Sequence, residues 1–383
     1  MKIILDVSSV SAPLSGIGRY TLELAKGLQK QSDISELLYY RNGNLSSVFE
    51  MAVANQSLPY SKKNFKHYLK IAPIVRFYRY LQKLKSYWKL KNYNSYCFHA
   101  TNFSLPLIKG MRIATVHDLS VFLYPDFHPK DRVNYLKREI YHSVKTADLV
   151  VTDSFSVRDE IVSYFNLPLS LVQVVPLAAN QDYKLRTSAE TLDVLTSYKL
   201  RHKKYFLIVA TIEPRKNHAA LFESYLKLSD DIQQEYPMIV IGAYGWNGND
   251  VLRDIATFGD DIIYLQYVDE IDLPYLYSGA KIFFFLSYYE GFGLPVLEAM
   301  QSGVPVICSN INSLVELSGD AAICVDPNDI TAIVAATEKL IYDSSSAVNL
   351  IKLGIENAKK YSWNNTVEKM KDCYNVVSAM NKK

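Results

Sequence analysis

The stretch IFFFLSYYEGFGLPVLEAMQSGVPVIC, Ile282–Cys308, holds the clearest structural signal in the chain. Ile282–Leu286 is apolar at every position, which predicts a strand buried on both faces, the habit of parallel sheets. Two tyrosines, Glu290 and a Gly-x-Gly loop follow. Pro295 opens a helical stretch to Ser302 and Gly303 closes it, the asymmetry expected of helix ends. Val304–Cys308 predicts the next strand. Strand, loop, helix and strand in this order make one unit of an α/β fold.

The same alternation extends outward. Tyr205–Ala210, Met238–Ile241 and Ile262–Leu265 predict strands, and Asn217–Leu228 a helix with Asn217 as its cap. Asp272–Ser278, Asn312–Leu317 and Asp329–Tyr342 predict further helices. A separate series fills the first half. It has strands at Lys2–Val7, Arg112–His117, Leu149–Thr152 and Leu171–Val175, and helices at Arg19–Lys30, Asp131–Thr146 and Val157–Phe165. A Ser/Pro/Gly-rich loop, Ser8–Gly18, follows the first strand. Around Asn180–Lys204 the sequence turns polar and loses strand signals. Two Rossmann-like domains, 1–183 and 203–360, facing each other across a cleft, are therefore expected. Open α/β sheets bind ligands outside the carboxyl ends of their strands, so the loops there are where chemistry is sought.

Composition agrees with a two-domain protein. The 383 residues are 49% hydrophobic and 21% charged, with 15 Gly and 14 Pro, which excludes disordered and collagen-like chains. Cys97, Cys308, Cys324 and Cys373 stand far apart without a CxxC pair, which argues against a disulfide scaffold or a cysteine zinc cluster and for a reducing compartment. No export signal or membrane-length apolar stretch is visible. A cytoplasmic protein, peripheral at the inner face of the cytoplasmic membrane, is expected. The net charge of +3 hides a segregation: residues 51–117 carry 12 Lys and Arg and no acid, leaving −9 on the rest. Such a stretch points to an anionic partner surface.

Five segments could carry chemistry. Glu213-Pro214-Arg215-Lys216-Asn217 follows a strand and opens a helix. Two cations beside free helical N–H groups suit a phosphate, though solvated loop cations are the plainer account. Glu290-Gly291-Phe292-Gly293-Leu294, with Glu298 eight positions after Glu290, can offer two carboxylates to sugar hydroxyls and close backbone approach to a ligand. Alone, Glu298 reads as dipole compensation in a first helical turn and Glu290 as a surface carboxylate. Gly16 and Gly18 form a lone Gly-x-Gly, and Thr21 stands where a dinucleotide fingerprint would need its third glycine. A nicotinamide-dependent oxidoreductase is thereby disfavoured. His117-Asp118, at a strand end, is either structural or a ligand contact. Finally, Tyr60–Tyr93 holds ten Lys and Arg and nine aromatics, with Phe77, Leu81, Leu84 and Trp88 at helical spacing. Lys83, Lys85, Trp88 and Lys89 on such a helix could contact an anionic bilayer or acceptor. Non-catalytic nucleic-acid binding through 51–117 is the rival from another class, and a helix docked on its own core the plain one.

These residues resemble glycosyltransferase family 4, retaining enzymes of the GT-B fold. The resemblance rests on EGFGLPVLEAM (Glu290–Met300) and ATIEPRKN (Ala210–Asn217), with weaker landmarks at Thr152–Ser156 and Pro176-Leu177. Tyr361-Ser362-Trp363 resembles the point where a last helix, 361–383, crosses back to the first domain. The resemblance implies that Arg215 and Lys216 bind the nucleotide diphosphate, Glu298 the ribose and Glu290 the donor sugar. It implies that Phe292, Gly293 and Leu294 offer backbone N–H groups to sugar and phosphate. It places His117 by the reacting face, and Gly16 and Gly18 against diphosphate or acceptor. The family resembled needs no metal or other cofactor. The adjacent pairs Asp230-Asp231 and Asp260-Asp261 read as solvated turns. The stretches His117–Ser120 and Tyr124–Pro129 resemble bacterial polysaccharide mannosyltransferases of this family. GDP-mannose is thus the favoured donor, with UDP-glucose or UDP-N-acetylglucosamine as alternatives. A lipid-linked oligosaccharide of O-antigen or capsule type is the implied acceptor.

Overall fold

Runs that are apolar at every position leave a strand no polar face for water, so they go to the middle of sheets covered on both sides. The computed structural model shows two such sheets. It describes all residues except 12–13, 51–84, 247, 249–250, 252, 254, 256, 258–260 and 382–383. The first sheet contains β1 (Lys2–Asp6), β2 (Glu36–Arg41), β3 (Asn44–Ser46), β4 (Cys97–Ala100), β5 (Met111–Thr115), β6 (Leu149–Thr152) and β7 (Val172–Val174). Its order is β3-β2-β1-β4-β5-β6-β7. All neighbours are parallel except β2 and β3, joined through Asn42 and Gly43 at φ 47° and 84°. Asn-Gly tolerates this left-handed backbone, hence the tight hairpin. The second sheet contains β8 (Phe206–Val209), β9 (Met238–Ile241), β10 (Ile262–Leu265), β11 (Ile282–Phe285), β12 (Val306–Ser309) and β13 (Ile323–Val325). Its order is β10-β9-β8-β11-β12-β13, parallel throughout.

In each sheet the strand order turns back beside the first strand: β1 lies between β2 and β4, and β8 between β9 and β11. At such switch points the loops part and leave a crevice at the strand ends. The loops after β1, β8 and β11 all open there.

Some elements differ from the sequence reading. The first helix is Gly16–Gln29, with Ser15 Oγ accepting from the Gly18 N–H at 3.1 Å, so both glycines lie in its first turn and not in a loop. The polar stretch after the first sheet contains a helix, Ser188–Ser197, opened by a reciprocal Thr187–Glu190 cap. That helix packs on the helix Leu273–Gly279 of the second sheet. The last helix, Trp363–Met380, is capped by Ser362 and packs back on Gly16–Gln29, β4 and β5. Its Tyr374 hydroxyl meets His99 Nδ1 at 2.7 Å inside the first domain. The largest buried apolar cluster consequently runs through both sheets.

Candidate active site

Arg215 and Lys216 close a 3-10 turn, Pro214–Lys216, between β8 and the helix His218–Leu226. Asn217 does not cap that helix. It adopts φ 53°, and its side-chain amide donates to the Pro327 carbonyl at 2.8 Å, pinning the turn to the loop after β13. Asn tolerates this left-handed conformation better than most residues. The turn aims both cations at β11's far end. Lys216 Nζ donates to Glu290 Oε1 at 2.5 Å and Arg215 Nη1 to Glu290 Oε2 at 3.1 Å. Arg215 also donates to the Tyr289 carbonyl at 2.6 Å and to Glu213 Oε1 at 2.7 Å.

Burial opposes ionisation of Glu290, yet Lys216 and Arg215 outweigh it and hold the carboxyl down at about 2. Glu290 is thus an anion seated on the cationic pair. Among the described residues Arg215 Nε is buried without a hydrogen-bond partner, so the guanidinium keeps a donor for another acceptor. His218, beside Lys216, is pushed down to about 4 by burial and by that ammonium.

The Gly-x-Gly loop follows. Gly293 takes φ +103°, which a side chain rarely adopts, and starts the helix Leu294–Gln301. Phe292 and Leu294 are buried, and the Phe292 ring packs edge-on against Tyr361, centroids 5.8 Å apart. Glu298 is the fifth residue of the helix, beyond its first turn, so dipole compensation does not explain it. It is 6% exposed and accepts from the Tyr277 hydroxyl at 3.0 Å. Burial raises its pKa against the pull of Arg19.

The first domain supplies the opposite wall. Gly16 is exposed, and a Cβ there would stand 3.8 Å from Leu294 Cδ1, so it faces the donor-side helix. Gly18 is buried, and a Cβ there would meet the Ser9 carbonyl at 2.9 Å. Its smallness serves the loop's own packing. His117 stands just past β5, with Nδ1 2.7 Å from Asp153 Oδ2 and Nε2 3.0 Å from the Thr101 carbonyl. Both partners are acceptors, which asks for a proton on each nitrogen. Burial works against that charge, but Asp153 and the carbonyl raise the His117 pKa above its usual value.

Other contacts were not legible as site features. Arg19 of the first helix lies over the Tyr183 ring at 5.9 Å and 4.0 Å from Glu270, reaching the second domain beside Glu298. Phe127 stacks on Tyr288 at 5.3 Å, and the Trp246 indole N–H donates to the Phe127 carbonyl at 2.7 Å. The tyrosine doublet at 288–289 and the stretch Tyr124–Pro129, which holds Phe127, were the sequence hints. Of the basic stretch, Lys83 lies outside the described residues. Residues 85–90 are helical, Trp88 is 64% exposed with the Lys91 ammonium 4.5 Å over its ring, and Lys89 Nζ donates to Asn44 Oδ1 at 2.9 Å. Arg112 belongs to a fork with Asp148, 2.8 Å at its closest side-chain contact, so its charge is already matched.

Two cations at a switch point paired with Glu290, and a second buried carboxylate, Glu298, on the helix after the glycine loop, form a site for a phosphorylated, hydroxyl-rich ligand. Comparison with known proteins agrees. The sequence model for Glycosyl transferases group 1 matches residues 197–359. O-antigen chain mannosyltransferase B of Escherichia coli is 38% identical over 98% of this chain and 100% of that protein. The chain belongs to the glycosyl transferase group 1 family. It is therefore a glycosyltransferase, and its two facing sheets are the GT-B fold. Sucrose-phosphate synthase of Thermosynechococcus elongatus superposes with a TM-score of 0.71 at 16% identity, covering 99% of this chain and 100% of that one. WaaG, a glycosyltransferase involved in lipopolysaccharide biosynthesis, gives 0.70 at 12% identity, covering 97% and 99%.

Proposed function

We propose that this glycosyltransferase moves mannose from GDP-mannose, with retention at the anomeric carbon, to a lipid-linked oligosaccharide of O-antigen type. The work would take place at the inner face of the cytoplasmic membrane. The observation that carries the reading is the end-to-end likeness to the O-antigen chain mannosyltransferase of Escherichia coli. The site chemistry is compatible with it. The diphosphate would take the place on Arg215 and Lys216 that the Glu290 carboxylate holds, and Glu290 would turn to the sugar hydroxyls. Glu298 would accept from the ribose.

As the anomeric bond breaks, negative charge grows on the diphosphate, and the buried Arg215 and Lys216 stabilise it without a metal. The acceptor hydroxyl attacks from the face the diphosphate leaves, and a departing phosphate oxygen takes its proton. No side-chain base is then needed.

The test is a donor panel, GDP-mannose, UDP-glucose and UDP-N-acetylglucosamine, against a lipid-linked oligosaccharide pool, with product configuration read by NMR. Transfer of mannose alone, α to α, is expected, and Lys216→Ala should lower turnover roughly 10²–10³-fold. Transfer only from a UDP sugar, or an intact rate in Lys216→Ala, would overturn the assignment.

A further inference from the structure

The segment carrying Glu290 is held on both sides by the other domain. On one side the Tyr289 hydroxyl, 5% exposed, accepts from the Leu119 N–H at 3.0 Å and donates to Glu160 Oε2 at 2.6 Å. On the other, the Gly291 carbonyl accepts from Ser154 Oγ at 2.7 Å. The Ser154 hydroxyl also caps the helix Phe155–Phe165 by accepting from the Val157 N–H at 3.2 Å. The two N–H groups before it, of Phe155 and Ser156, donate to the Glu316 carboxylate at 2.8 and 2.9 Å. Glu316 is on the second domain's helix Asn312–Ser318, and the same helix holds the Glu290 carbonyl through Ser313 Oγ at 2.6 Å.

Free N–H groups at a helix start usually find acceptors in their own sequence neighbourhood. Here a carboxylate 161 positions away supplies them, and it does so only while the domains are seated together. The Tyr289 hydroxyl has the same property, since both its partners belong to the first domain.

We infer that Tyr289 and Glu316 are positioning residues for sugar transfer, two clamps that fix Glu290 in its working place when the acceptor domain is seated on the donor domain. The inference rests on reading Glu290 as a donor-sugar ligand. The clamping side chains touch none of Arg215, Lys216 and Glu298; Tyr289 meets Arg215 only through its backbone carbonyl, which Tyr289→Phe leaves in place. A nucleoside diphosphate without its sugar would use those three, all in the second domain, so its affinity is independent of the clamps. Transfer is not, because it needs Glu290 placed against a sugar lying between the domains.

The experiment measures kcat with GDP-mannose and a lipid-linked acceptor, and the Kd of GDP by calorimetry, with UDP-glucose and UDP in parallel. It compares the wild type with Tyr289→Phe, Glu316→Ala and Glu316→Gln. Tyr289→Phe and Glu316→Ala should lose tenfold or more in kcat while the diphosphate Kd stays within twofold. Glu316→Gln, which keeps one acceptor oxygen, should fall between wild type and Glu316→Ala. An unchanged kcat, or a diphosphate affinity that falls in step with kcat, overturns the clamps. A wild type that neither binds a diphosphate nor turns over its sugar overturns the donor-site reading instead.

Discussion

Burying a lone charge costs several kcal/mol, and the side chains of Arg215, Lys216 and Glu290 are only 12%, 11% and 10% exposed. Each is tolerated because the others are present. Glu290→Ala leaves two cations facing each other, with Glu213 and the more distant Asp118 to offset them, and removing one partner of a buried pair costs about 3–5 kcal/mol. The variant should fold, lose transfer and melt earlier. Saturating GDP should then raise its Tm by more than it raises the wild type's, because the diphosphate restores the missing negative charge. A smaller shift in scanning fluorimetry would show that Glu290 does not hold the diphosphate's place. The cationic pair was legible because its members are adjacent in sequence. Its partner was not, since Glu290 lies 74 positions from Lys216 and only the β8–β11 pairing brings them together.

Among the elements, the loop between β11 and the helix Leu294–Gln301 does two things with two glycines. Gly293 supplies a backbone turn that other residues resist. Gly291 allows contact: a Cβ there would stand 1.9 Å from the His117 carbonyl of the other domain. Both atoms belong to backbones that cannot step aside, so Gly291→Ala should separate the domains at that point. Transfer is expected to fall at least tenfold with a modest fall in Tm, since the buried cluster that runs through both sheets is disturbed only at this edge. Full activity in a transfer assay would show that this contact is dispensable. The Gly-x-Gly pattern announced close approach to something, and a ligand was the sequence-level reading. The other domain's backbone fills that role at Gly291. Helix limits were less legible: Glu298 lies beyond the first turn, and Asn217 gives its side chain to Pro327. Local propensity favoured a cap, but a distant carbonyl was the better partner.

At the scale of the molecule, the segregated charge divides further. Arg112 is spent on Asp148, so the described part of the basic stretch offers a smaller surface around Lys85, Trp88 and Lys89. A juxtamembrane Lys contributes about 1 kcal/mol toward an anionic surface. Lys85→Gln with Lys89→Gln and Trp88→Ala should weaken flotation with phosphatidylglycerol vesicles about tenfold or more, and less so in high salt. Unchanged flotation would remove this helix from the membrane reading. The two domains are also tied away from the cleft, where Tyr374 of the last helix reaches His99, and Thr366 Oγ1 donates to the Pro176 carbonyl at 2.7 Å.

The sequence alone determined the α/β class, the two series of parallel strands and the Arg215-Lys216 and Glu290–Glu298 motifs. These depend on periodicity and on neighbours a few positions apart, which a linear string preserves. Strands β2 to β4 and β13 and the helices Ser188–Ser197 and Ser344–Ala358 were among the elements that escaped, because their patterns are short or mixed. Only the tertiary structure decided that Glu290 pairs with both cations, that His117 lies between Asp153 and the Thr101 carbonyl, and that Tyr289 and Glu316 bind one domain to the other. Those are Coulombic and hydrogen-bonding relations between groups tens to hundreds of positions apart, and they exist only once sheet order and domain seating have set the distances.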